Sequence, residues 1–136
     1  LDAEGEEKFT QLRNAMQLEL DDVYITTVIK TLALASRSPH PADVRRDRPW
    51  LNRQLRWLSP RVIVAFGSKV GAMLTSGEIQ DCGAGQISSI DLEGVRSPTP
   101  VHITHEFSVL TRQGRDEAKA KEMWLHMQAV MKAISP

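Results

Sequence analysis

With 136 residues and 17 basic against 17 acidic side chains, the chain is long enough to bury one real core, and its balanced charge selects no polyanionic partner in bulk. The single Cys82 excludes an internal disulfide and a four-cysteine zinc or iron–sulfur site, which fits a reducing compartment and gives the expectation of a cytoplasmic protein. No apolar run approaches the ~20 residues that span a bilayer, and the acidic opening LDAEGEEKF lacks the basic-then-apolar order of a signal peptide, so neither export nor a membrane is expected.

Phe9, Leu12, Met16 and Leu20 recur at three- and four-residue spacing and predict a helix over Glu6 to Leu20, with acidic residues near its start. Asp21 and Asp22 interrupt it. The β-branched and aromatic run Val23-Tyr24-Ile25-Thr26-Thr27-Val28-Ile29 then reads as a buried strand. Ser36, Ser38, Pro39 and Pro41 force a loop between Leu32 and Pro41. From Ala42, Val44, Leu51, Leu55 and Leu58 mark a second amphipathic helix that stops before Pro60, with its arginines facing outward and Trp50 and Trp57 expected in the core.

Val62 to Gly67 is a short apolar run of the kind covered on both faces in a parallel sheet. Ser68 caps a helix through Val70, Met73 and Leu74 that Gly77 terminates. Gln80 to Pro100 reads as a loop or hairpin, and Pro100 to Thr104 as another strand. Arg115 to Ile134 carries Ala120, Met123, Trp124, Met127, Val130, Met131 and Ile134 on one face of a long terminal helix, which covers the sheet. Strands alternating with helices predict an α/β fold, a three-layer α/β/α sandwich with a mainly parallel central sheet. Ligands of such sheets sit at the C-terminal strand edge, here near Thr27 to Arg37, Gly67 to Val70 and Thr104 to Arg112.

Three segments in register carry a resemblance: "DVYITTVIK" (Asp22 to Lys30), "RPWLNRQL" (Arg48 to Leu55) running into "PRVIVAFG" (Pro60 to Gly67), and Val101 to Arg112. Their order and spacing resemble the uracil-DNA glycosylase superfamily, closest to its iron–sulfur type and related branches. The resemblance implies one glycosylase-like domain over residues 1–136 that lacks the family's N-terminal strand and first motif. It also implies DNA as partner, with a uracil flipped from the stack into a pocket and water cleaving its glycosidic bond.

Position by position, the resemblance implies a degenerate site. Thr27 stands where the family has an asparagine that reads the uracil edge, and losing that amide lowers base selectivity. Thr31 and Asp47 stand at cluster cysteines, so the expectation is no iron–sulfur cofactor and no metal. The family's final His-Pro-Ser motif matches Glu106-Phe107-Ser108, which puts a carboxylate where a histidine stabilises charge developing on the departing base, with His105 one position early. The candidate catalytic pair is therefore His105 and Glu106. The base pocket is assigned to Thr27 and Phe107, the latter as a wedge or a plug. Ser36, Arg37, Ser68, Lys69, Ser108 and Arg112 are the phosphate-binding candidates at the strand edge.

Two alternatives stay open. One is an active glycosylase in which an N-terminal extension supplies the first motif and His105 serves in a shifted register. The other, by fold analogy alone with the psi subunit of the bacterial clamp loader, is a non-catalytic subunit with a protein partner.

Overall fold

Asp2 opens the first helix, α1 (Ala3–Ala15), where its carboxylate accepts the Gly5 N–H at 2.7 Å and Glu4 and Glu6 occupy the positive end of the dipole. The structure is a computed structural model that describes residues 2–28, 41–75 and 83–135. α1 ends short of Leu20 because Gln17 takes a positive φ of 62°, and the N–H groups of Gln17 and Leu18 turn back onto the Asn14 and Arg13 carbonyls. A 3-10 turn, Leu20–Asp22, follows, closed reciprocally by the side chains of Glu19 and Asp22.

The expected strand from Val23 is the first correction. Residues 23–28 have no strand ladder, and Tyr24 and Ile25 are 58% and 57% exposed rather than buried. Only Val28 packs partly against the core, and Thr26 Oγ1 donates to Gln54 Oε1 at 3.1 Å. β-branched residues favour extended backbone, but a strand also needs a neighbour to accept its N–H groups. Here the Thr26 hydroxyl ties the segment to a helix side chain.

The second helix, α2 (Pro41–Leu58), runs through Pro49, which supplies no N–H to the Arg45 carbonyl. It buries Val44, Leu51 and Leu55 and stops where Ser59 turns to a φ of 47° ahead of Pro60. Trp50 and Trp57 are the second correction. They are 63% and 88% exposed, because the buried arc of α2 is narrow enough for Val44, Leu51 and Leu55 to fill it.

Strand β1 (Ile63–Phe66) leads through Gly67 into helix α3 (Ser68–Thr75). Strand β1 is only partly covered: Ala65 alone is fully buried, against the expectation of cover on both faces. The guanidinium of Arg48 on α2 donates through Nη1 to the Met73 and Leu74 carbonyls at 3.3 and 2.7 Å, satisfying acceptors in the last turn of α3. Gly77 lies outside the described residues.

Strand β2 (Ile87–Ile90) resolves the loop-or-hairpin stretch, and β3 (Thr99–Thr104) is the expected strand. The sheet order is β1-β3-β2, with β1 and β3 parallel (Ile63 opposite Val101, Phe66 opposite Thr104) and β2 antiparallel to β3. A 3-10 turn (Phe107–Leu110) and the terminal helix α4 (Glu117–Ile134), capped by Asp116, complete the chain.

Alternation along the strands divides the apolar side chains into two cores, and this makes three layers. Ala65, Val101 and Ile103 pack against Leu51 and Leu55 of α2 and Leu74 of α3 on one face. Val62, Val64 and Phe66 lie with Met16, next to α1, and Met123, Met127 and Val130 of α4 on the other. The described residues thus form the expected α/β sandwich. The N–H of Gly71 on α3 donates to the Gly67 carbonyl, and Gly71 packs so close to Ile103 that an added Cβ would lie 2.7 Å from its Cγ1 and Cδ1.

Candidate functional site

Parallel pairing of β1 and β3 brings their C-terminal ends side by side. Gly67, at a φ of +108° that only glycine takes without strain, donates its N–H to the Thr104 carbonyl at 3.0 Å. Its missing side chain leaves room for Glu106, whose Cγ would be 3.3 Å from a Cβ built there. The turn into α3 and the loop after β3 therefore form one edge, the crevice at which open α/β sheets bind ligands.

After Thr104 the chain distributes its side chains in different directions. Thr104 is fully buried, and its hydroxyl meets Nδ1 of His126 on α4 at 2.8 Å. His105 turns to the same helix, with Nε2 2.8 Å from Glu122 Oε2 and its ring 5.7 Å from that of His126. Glu106 is exposed above Gly67. Phe107 folds inward, edge-on to Phe66 at 5.4 Å and 88°, with Phe9 of α1 at 6.3 Å. This ring packing ties Phe107 to β1 and α1.

The phosphate-binding candidates separate likewise. Ser68 and Lys69 begin α3 beside Gly67, with Lys69 exposed. Ser108 is exposed on the 3-10 turn, and its carbonyl accepts both the N–H and the hydroxyl of Thr111. The Arg112 side chain is 92% exposed, and Glu4 on α1 reaches it at 3.6 Å while accepting the Arg112 backbone N–H at 2.6 Å. Thr27 is exposed on the segment beside α2. Ser36, Arg37, Thr31 and Cys82 lie outside the described residues.

Glu122 and His126 are the residues that sequence reasoning missed. They stand four apart, on one side of α4, and a polar pair beside an otherwise apolar helix face was the available signal. Burial holds the His126 imidazole below its ordinary value of 6.5, helped by the nearby His105 and opposed by Glu122, and burial does the same to His102 on β3. Neutral imidazole is thus favoured behind the edge. A small hollow of about 90 Å³ opens there between Gly85, Ile87, His102 and His126. Another hollow, about 300 Å³ between α1 and α4, is lined by Leu12, Leu110, Met123 and Trp124 and by none of the candidate residues.

An iron–sulfur cluster does not fit the Asp47 position. Its carboxylate is buried on α2 and lies 3.0 Å from Arg46 Nε, a hard anion in an ion pair where the cluster needs a thiolate. Among the described residues no group of three or more His, Cys, Asp or Glu side chains is placed to hold a metal ion, and no helix is long and apolar enough to cross a membrane.

An α/β sandwich with an open loop edge at the C-terminal ends of parallel strands is an architecture whose ligands, where it has them, sit at that edge. Comparison with known families narrows it. The model of the uracil DNA glycosylase superfamily matches residues 4–128, and the chain belongs to that superfamily. A type-4 uracil-DNA glycosylase of Archaeoglobus fulgidus is 38% identical over 58 residues, covering 43% of this chain and 29% of that protein. A type-4 uracil-DNA glycosylase of Sulfurisphaera tokodaii is 32% identical over 56 residues, covering 41% and 26%. The matched stretch thus spans less than a third of either relative's length.

Proposed function

We propose that this domain binds DNA along the edge formed by Gly67 to Lys69 and His105 to Arg112, in a role related to base-excision repair, and excises uracil poorly. The observation that carries the reading is the exposed Glu106 carboxylate over Gly67. Excision pushes negative charge onto the departing base, and a donor or cation at that spot lowers the barrier where a carboxylate raises it. Thr27 supports the same reading, since a hydroxyl offers fewer directed hydrogen bonds to a base edge than a carboxamide. Ser68, Lys69, Ser108 and Arg112 supply phosphate contacts, so affinity falls as salt rises.

Uracil-containing single- and double-stranded DNA, scored for abasic sites, tests the proposal. Binding with little strand-labile product is expected from the wild type, and weaker binding from Lys69→Ala with Arg112→Ala. Vigorous excision that disappears in Glu106→Gln or His105→Ala refutes the degenerate site.

One observation favours a second reading, an active glycosylase. Glu122, 2.8 Å from His105 Nε2, is placed to orient that imidazole. This reading predicts excision that is lost in both His105→Ala and Glu122→Ala and kept in Glu106→Gln. A third reading, a non-catalytic subunit with a protein partner, predicts a stable complex and no DNA affinity.

A further inference from the structure

The outward side of α2 carries a pattern that neither the sheet edge nor the core uses. Arg46, Trp50, Arg53 and Trp57 follow one another at four-, three- and four-residue steps, so they form one stripe along the helix. Trp50 and Trp57 both lie beyond Pro49, seven residues and roughly 10 Å of helix apart, and both are mainly exposed. The Arg53 guanidinium carbon is 5.8 Å from the centre of the Trp50 ring, a cation–π contact that restrains the ring's orientation.

Charge on this helix is sorted by burial. Asp43 and Asp47 are buried, whereas Arg45, Arg46, Arg53 and Arg56 are exposed, so the solvent side of α2 presents cations alone. Glu93 reaches Arg56 from outside the helix at 3.2 Å, and Asp43 and Asp47 hold Arg46 from beneath. The segment tied to Gln54 through Thr26 also carries the exposed Tyr24, two residues earlier, with Asp21 and Asp22 before it. Polar Arg53 and Gln54 separate the two indoles, and the exposed guanidinium groups around them complement a polyanion. Alternating flat aromatics and guanidinium groups match a strand that alternates bases with phosphates.

We propose that this stripe is a second DNA contact, holding single-stranded DNA with unpaired bases stacked on Trp50 and Trp57 and with Arg46 and Arg53 at the flanking phosphates. The proposal rests on the reading of the domain as a DNA binder and extends it to a surface away from the strand edge. Duplex DNA, whose bases are already stacked, binds this surface less well.

A short fluorescein-labelled oligodeoxythymidylate, titrated by anisotropy and by quenching of tryptophan emission in a Trp124→Phe background, tests it. Quenching is expected in that background, and Trp50→Ala and Trp57→Ala each weaken binding about 5- to 150-fold. Arg53→Gln lowers the slope of log affinity against log salt by about 0.7. Helicity and melting temperature of Trp57→Ala check folding, which an exposed side chain and a good helix former protect. Binding that survives both tryptophan variants and is lost in Lys69→Ala with Arg112→Ala overturns the stripe and leaves the edge reading intact. Binding lost only in the tryptophan variants does the reverse. A wild type that binds no oligonucleotide ends both readings. Self-association that Trp57→Ala abolishes, without DNA affinity at the stripe, makes it a protein contact and overturns the proposal.

Discussion

One methyl group added at Gly71 tests the packing that holds the turn into α3 against the sheet. The new Cβ would lie 2.7 Å from Cδ1 and Cγ1 of Ile103 and 2.8 Å from its Cγ2. Carbon atoms rest comfortably about 3.5–4.0 Å apart, so all three contacts fall short by roughly an ångström. Ile103 is almost fully buried in β3, and its β-branched side chain has few rotamers with which to yield. α3 must therefore move outward. Overpacking of this kind costs about 1–3 kcal/mol, and the better helix propensity of alanine returns about 1 kcal/mol. A net loss of about 1 kcal/mol is expected for Gly71→Ala, a drop of roughly 3–5 °C in melting temperature for a domain of this size. Urea denaturation followed by circular dichroism measures it, best as a cycle with Ile103→Ala. Truncating Ile103 destabilises the protein by itself, but Gly71→Ala becomes neutral or stabilising in that background, a coupling of at least about 1 kcal/mol. Stabilisation by Gly71→Ala to the same degree in both backgrounds refutes the close contact.

The tie between β3 and α4 is tested by Thr104→Val, which leaves Nδ1 of His126 without its hydroxyl partner and costs about 1–3 kcal/mol; an unchanged urea midpoint counts against the bond. Arg48→Ala strips the last turn of α3 of its guanidinium donor and costs about 1–2 kcal/mol, with Arg48→Lys recovering only part, since the guanidinium reaches both carbonyls through Nη1 and Asn52 Oδ1 through Nε, and a single ammonium does not span both. Acid should weaken the fold through His102 and His126. Their folded-state values lie below the ordinary 6.5, so the unfolded chain takes up protons first as pH falls. Stability is therefore fully present above about 6.5 and declines below it until the folded-state values are reached. A denaturation midpoint that stays level or rises between pH 7 and 5.5 contradicts this, and His102→Gln should flatten part of the slope.

Local pattern was legible in the chain wherever one residue's neighbours along the sequence determine its environment. The apolar period of α4, the stop of α2 before Pro60 and the apolar run of β1 ending at Gly67 each encode their element directly, and the structure has them within a few residues of the expected bounds. The order of those elements sufficed for the layered α/β architecture, and three short segments in register sufficed for the superfamily to which the chain belongs.

The candidate site was legible only as a list of loops. That Gly67 and Glu106 meet, and that His105 and Glu106 diverge toward α4 and α3, follows from β1 lying parallel to β3.

What the sequence settled by itself was the kind of the helices and of the strands β1 and β3, and the scaffold they build, because helix periodicity, proline stops and apolar runs are written in contiguous residues. What only the tertiary structure decided was partnership and exposure. Val23 to Val28 has strand composition and no ladder, while Trp50 and Trp57 are large and apolar yet remain in solvent. Glu122 and His126 reach the loop after β3 from well downstream in the chain. A ladder bond, a buried face and a paired imidazole each need a second group that is distant in sequence, and chain folding alone supplies it.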